Sequence, residues 1–198
     1  MPDALADKLT AAASAFASSY EDVGMGDIAK ASGIPRATLY YYFAGKDDVL
    51  AFLLRSMLDD LRISVATALE IDGDTRTRLL GVVRAQLAHL GANPATSQLL
   101  LMNLGKAGRL GAIASGVNEG FHAPVRKILA DGVRDGAVFD LDVQVAATAI
   151  YGAVTIVGLQ SLVITGEVDV DAMAESLFPI FWDGIARPTA TRARRGQP

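Results

Sequence analysis

Apolar residues recur at three- and four-residue steps along almost the whole chain, and the rhythm breaks only at glycine, proline or short polar runs. Leu5, Leu9, Ala12, Ala13 and Phe16 predict a first helix over about 3–20. Gly24 opens a short segment, MGDIAKAS, which Gly33 stops, and Pro35 or Arg36 opens another, RATLYYYF, which ends by Gly45. Over 46–70 a long helix carries Val49, Leu50, Leu53, Leu54, Met57, Leu58 and Leu61 on one stripe, with Asp47 and Asp48 at its positive N-terminal end. The run IDGD breaks the pattern, and further helices are predicted over 75–91, 94–104, 111–135, 142–165 and 171–186, with GKAGRLG as a glycine-rich break and Asp140 or Asp142 as an N-cap. No pair of segments alternates as strands do. The pattern predicts an all-α protein of about nine helices.

Two short helices around a Gly-centred turn, within DIAKASGIPRATLYYYFAGK, form the helix-turn-helix pattern. Ala29 is small where the helices approach, Gly33 can take the positive φ that ends the first, and Ile28, Ile34 and Leu39 supply apolar pins. Arg36, Ala37, Thr38, Tyr40, Tyr41 and Tyr42 are left on a second helix of barely two turns, too short to bury three consecutive tyrosines. Hydroxyls, an Arg and a Lys on one rim suit phosphate oxygens and base edges.

Composition narrows the classes further. With no cysteine there is neither a disulfide framework nor a thiolate metal site, which favours an intracellular, cytoplasmic protein. Lys and Arg number 18 against 22 Asp and Glu, a net charge of −4, so any basic patch is local. The acidic start MPDALAD does not read as an export signal. Residues 143–166 lack charge over nearly a bilayer's length, but acids crowd both ends and no Lys or Arg orients the segment; it is expected to be a helix buried on two sides, not a membrane span. The last residues, RPTATRARRGQP, form a basic tail that is expected to be disordered.

Catalytic constellations are not found. GMGDIA matches a dinucleotide fingerprint formally but lacks the preceding strand, and GKAGRLG lacks the spaced G-K-S/T of a phosphate loop. His89 and His122 stand far apart with no acid constellation for a metal, and Asp59 and Asp60 point in different directions on one helix. The expectation is a non-enzyme without metal or cofactor.

The segment IAKASGIPRATLYYYFAGKDDVL resembles the N-terminal signature of the tetracycline-repressor (TetR) family of bacterial transcriptional regulators, a resemblance that with Phe16 of the first helix included lies in about the first quarter of the chain. The resemblance implies that Arg36, Thr38 and Tyr41 read or approach the major groove, that Tyr40 and Tyr42 hold the phosphate backbone, and that Lys46 pairs with a phosphate. Two departures stand out: Gly24 replaces the Ser or Thr that usually caps the second helix, in a segment that looks one residue short, and Pro35 replaces the Ser that often precedes the recognition helix. Residues 1–50 carry four bases against seven acids, an unusual balance for a surface approaching a polyanion.

The expected organisation is a helix-turn-helix domain over 1–45, a ligand-binding and dimerisation domain over 46–186, and the tail over 187–198. The resemblance implies an effector pocket between the fourth and seventh helices. His89, Leu99, Met102, Asn103 and Phe121 are its candidate lining, around a largely apolar small molecule. On the eighth helix, Val145, Ala149, Gly152, Ile156, Leu159 and Val163 form a second apolar stripe. With Met173, Leu177, Phe178, Phe181 and Trp182 of the last helix it predicts a homodimer through a four-helix bundle. The expected function is a cytoplasmic repressor that an effector releases from double-stranded operator DNA. The alternative is a helical small-molecule-binding protein that keeps the fold without operator affinity.

Overall fold

The computed structural model describes residues 1–102 and 111–186; Asn103, most of the GKAGRLG break and the 187–198 tail lie outside them. Among the described residues there are nine helices: α1 (Asp3–Ala12), α2 (Met25–Ser32), α3 (Arg36–Tyr42), α4 (Lys46–Leu69), α5 (Thr75–Ala92), α6 (Pro94–Met102), α7 (Gly111–Val117, continuing through Asn118–His122 and Ala123–Arg134), α8 (Val143–Ile164) and α9 (Val170–Ile185). The all-α expectation holds. One isolated bridge, Val138 with Ala186, ties the α7–α8 turn to the end of α9.

Helix starts follow local chemistry. The Asp74 carboxylate accepts from Thr77 N at 2.8 Å, that of Asp142 from Gln144 N at 2.9 Å, and that of Asp169 from Ala172 N at 3.0 Å, each satisfying donors that a helix start leaves unpaired. At α2, where Gly24 offers no capping side chain, Asp27 reaches back and accepts the Gly24 N–H at 3.0 Å. Gly33 ends α2 at φ 65°, the left-handed conformation expected of it.

Two segments depart from the sequence pattern. The first α-helix does not run to residue 20: it stops at Ala12, and two 3-10 turns follow at Ala13–Ala15 and Ala17–Ser19. The alanine-rich segment is helix-compatible, but tertiary bonds override it. The Tyr20 hydroxyl donates to the Lys46 carbonyl, and the Lys46 ammonium donates to the carbonyls of Tyr20 (3.2 Å) and Glu21 (2.6 Å). These bonds lash the end of the segment to the start of α4. Within α7, Asn118–His122 is a π turn. It lies directly before Pro124, which has no N–H to return to Gly120; the Ala123 N–H bonds instead to Asn118, one residue further back than in an α-helix.

Around a central α5 pack α4, α7, α8 and α9, and α6 touches both α4 and the 3-10 turns of the N-terminal segment. The core is continuous from Leu9 and Phe16 through the α4 stripe to Phe178. Glycines mark the closest seams. A Cβ on Gly158 of α8 would stand 2.6 Å from Leu90 Cδ1 of α5, and one on Gly116 of α7 would stand 3.0 Å from Leu58 Cδ1 of α4.

Candidate nucleic-acid interface and effector core

The helix-turn-helix presents its second helix outward. Leu39 is buried, while Arg36, Tyr40, Tyr41 and Tyr42 are exposed and Thr38 is half-buried. Tyr41, 81% exposed, meets the ring of Tyr42 edge-on at 4.9 Å. Arg36 lies over the Tyr40 ring at 5.4 Å, and a guanidinium nitrogen donates to the Tyr40 hydroxyl at 3.4 Å, so one turn of α3 orients a cation beside a phenol. A cation and three hydroxyls thus share one short exposed helix, which can donate to phosphates and base edges alike. Lys46 is half-buried and spends two of its three donors on the Tyr20 and Glu21 carbonyls. Sequence reasoning missed its partner Tyr20, fully buried and with a phenol that burial, then Asp47, pushes well above the ordinary range. A large phenol on a stripe of alanines was the available signal.

The candidate effector residues do not share one surface. Leu99 and Phe121 are fully buried, His89 is buried, and Met102 is half-exposed; Asn103 lies outside the described residues. At the α5–α6 junction, Asn93 Nδ2 approaches His89 Nδ1 at 3.4 Å and donates to the His89 carbonyl at 2.9 Å. Burial lowers the His89 pKa, opposed by Asp60 and by the Met57 carbonyl, which places the ring against α4. A second cluster forms between α5, α7 and α8. Gln86 Nε2 donates to Thr155 Oγ1 at 2.6 Å and approaches the Tyr151 carbonyl at 3.4 Å. The rings of Phe121 and His122, both delivered inward by the π turn, lie 5.1 and 5.3 Å from that of Tyr151. Burial lowers the His122 pKa, and the Arg126 charge adds to it. Gln86 Oε1 and His122 Nε2 are buried with no hydrogen-bond partner, whereas the His89 ring has the Met57 carbonyl beside it. Such atoms cost about 1–3 kcal/mol each and are rare in folded proteins.

The outer face of α8 and α9 is bare. Val145, Ile156, Val163 and Ile164 of α8 and Ile180 of α9 are exposed. Between the two helices runs an apolar groove of about 370 Å³, lined by Val157, Ala172, Met173, Leu177 and Ile180 with Asp169 and Ser176 at its polar positions. Phe181 and Trp182 are half-buried, the indole stacked on Phe178 at 6.1 Å. Three residues of the expected stripe, Leu159, Leu177 and Phe178, are instead buried inside the protomer, because they fall on the faces of α8 and α9 that meet the core. By length and apolarity alone α8 could cross a membrane; within the protomer its inner face, with Ala147, Ile150, Val154 and Leu159, belongs to the core, and its outer face is exposed.

Residues 9–52 match the family model described as bacterial regulatory proteins, tetR family. The HTH-type transcriptional repressor KstR2 of Rhodococcus jostii is 29% identical over 169 residues, covering 82% of this chain and 80% of that protein. Among solved structures, the fatty acid degradation regulator FadR from Bacillus halodurans superposes with a TM-score of 0.78 at 22% identity, over 89% of this chain and 94% of that one. FadR from Bacillus subtilis in complex with stearoyl-CoA superposes at 0.74 and 19% identity, over 92% and 98%. These two likenesses concern the fold. With the signature carried on an outward-facing α3 and an all-helical frame behind it, the chain resembles the tetR family of bacterial regulatory proteins, residues 9–52 matching that family directly.

Proposed function

We propose that the protein is a cytoplasmic, homodimeric repressor that binds a palindromic operator through α3 and leaves it when a small, largely apolar effector occupies the helical domain. The observation that carries the reading is α3 itself: Arg36, Tyr40, Tyr41 and Tyr42 stand exposed on a helix anchored by Leu39, inside the matched segment. Residues 1–45 act as the DNA-binding domain and 46–186 as the effector and dimerisation domain. Arg36, Thr38 and Tyr41 face the bases, Tyr40 and Tyr42 the phosphates, and Lys46 adds its remaining donor at the start of α4. The effector lies in the core where α4, α5, α7 and α8 meet, near His89, Leu99 and Phe121. Its binding favours a state in which α4 has moved and the two recognition helices no longer match successive major grooves. One structural neighbour supports an apolar moiety by analogy: the Bacillus subtilis regulator was solved with stearoyl-CoA, whose acyl chain is apolar although its CoA group is charged.

The test is a gel shift on the DNA upstream of the chain's own coding region. Wild type is expected to shift it, and Tyr40→Phe and Arg36→Ala to weaken the shift with the fold intact by circular dichroism. Equal affinity in all three proteins would remove the operator from the reading and leave a helical binding protein, the outcome to which the acidic balance of residues 1–50 points.

A further inference from the structure

We propose that the effector is an uncharged, largely apolar molecule bearing a hydroxyl group, and that the hydroxyl donates its hydrogen bond to Gln86 Oε1 at the Tyr151 cluster between α5, α7 and α8. This rests on the effector reading above and specifies its chemistry.

Gln86 is 1% exposed and lies in the middle of α5. Its amide orientation is fixed by its neighbours: the nitrogen faces the Tyr151 carbonyl and the Thr155 hydroxyl, and only a donor can satisfy that carbonyl. Oε1 is therefore the acceptor left over, buried and unpartnered. A core that needed only packing would hold a leucine or methionine here, as it does at Leu79, Val83, Leu87 and Leu90 on the same helix. Retaining a glutamine with one end bonded and the other empty is what a site for a ligand donor requires.

The surroundings select among donors. Across Tyr151 stands His122, with its own Nε2 unpartnered and a ring whose pKa burial lowers. Arg126, the charge near it, is already held by Asn118 Oδ1 at 3.0 Å and Gln144 Oε1 at 2.8 Å. A carboxylate would carry no donor for Gln86, and an ammonium would find no anion in the cluster. A ketone or ether offers only acceptors. A hydroxyl donates to Gln86 while its oxygen can still accept. Tyr151 and His122 form the outer edge of the cluster, half-buried where Gln86, Phe121 and Thr155 are buried.

The π turn connects the cluster to the DNA-binding half. It carries Phe121 and His122 into the site and sets Gly120 against α4, where a Cβ would stand 3.4–3.6 Å from the Cβ, Cα and N of Arg62. Displacement of His122 by a ligand would thus be felt next to α4, at a seam where a Cβ on Gly120 would make ordinary contact with Arg62.

The probes are n-decanol and its isomer methyl nonyl ether, equal in composition and differing in the donor. Binding is read from the melting temperature of the full-length protein, and operator release from the gel shift. Wild type is expected to bind the alcohol about tenfold more tightly than the ether, the ratio one well-made hydrogen bond sustains. In Gln86→Leu the two should bind alike, both at the level of the ether. Gln86→Met serves if the leucine variant fails to fold. Equal binding of alcohol and ether to wild type, or a preference that survives in the variant, overturns the proposal; if both then release DNA, the effector reading stands without it. If neither probe shifts the melting temperature of wild type, the effector core and the hydroxyl site fall together.

Discussion

Single side chains in this protein carry two duties at once, and Lys46 is the clearest case. It is proposed to pair with a phosphate, and its ammonium ties the Tyr20 and Glu21 carbonyls to α4. Lys46→Ala is therefore expected to weaken operator binding and to lower the melting temperature, whereas a lysine serving phosphate alone would change only the first; calorimetry on the DNA-free protein separates them. Arg36, steered by Tyr40, is expected to lose about 1–3 kcal/mol and to relax base preference as Arg36→Ala if it reads a guanine, as a comparison of operator variants would reveal. The buried histidines make a pH prediction. Burial holds both His89 and His122 below the ordinary 6.5, so the unfolded chain takes up protons that the native state refuses. Stability is then full above about pH 6.5 and declines as pH falls through that value toward the lower native pKa values. The carboxyls of Asp74 and Asp131, held below 3.8, act only in more acid solution. Melting near pH 5.5 should come earlier than near 7.5, and His89→Leu should flatten the difference; a profile unchanged by that substitution would place the titration elsewhere.

At the scale of elements, the sequence pattern predicts helices well wherever a side-chain cap or a glycine marks a boundary. Gly33, Asp74, Asp142 and Asp169 end or begin helices where their chemistry says they should. It fails where the decision is tertiary. Nothing local stops the first helix at Ala12; the bond from Tyr20 to a residue 26 positions away does. The π turn was legible in principle, since Pro124 inside a helical run must displace a backbone bond. The seams invite a paired measurement. Gly158→Ala places a methyl 2.6 Å from Leu90 Cδ1, where α8 and α5 cannot separate without opening the core, and should cost about 1–3 kcal/mol in denaturant unfolding. Gly81→Ala, in the interior of α5, meets nothing closer than the Ala68 carbonyl at 3.6 Å and should stabilise by about 0.5–1 kcal/mol through helix propensity. The same sign for both substitutions would mean that the α5–α8 seam is looser than its distances imply.

At the scale of the whole molecule, the described residues leave one apolar face open. α8 and α9 both lie on α5 and leave an apolar groove between them, flanked by Val145, Ile156, Val163 and Ile180 in the open. The stripe was readable in the sequence because a helix of 22 residues carries no charge; which half of it lies inward was not, because Leu159 and Ile156 are equally apolar and only the packing of α5 distinguishes them. Lipid and a second copy are the two environments that would cover such a face. The inner half of α8 is already committed to the protein core, and Asp142, Glu167 and Asp169 stand at its ends, so a bilayer would have to take up acids at both of its surfaces. A second copy related by a two-fold axis would set α8 and α9 against their own equivalents and place two α3 helices for a palindrome. Ile156 is the residue to change, since at 47% exposure it supports the face more than the fold. Ile156→Lys is expected to leave the helical content intact, to shift the sedimenting species from dimer toward monomer or precipitate, and to abolish operator binding. Leu159→Ala, a cavity inside the protomer, should instead cost about 2–5 kcal/mol of stability while the folded fraction remains dimeric. A wild-type protein that sediments as a monodisperse monomer at micromolar concentration would leave the apolar face without its partner and the palindromic reading without its symmetry.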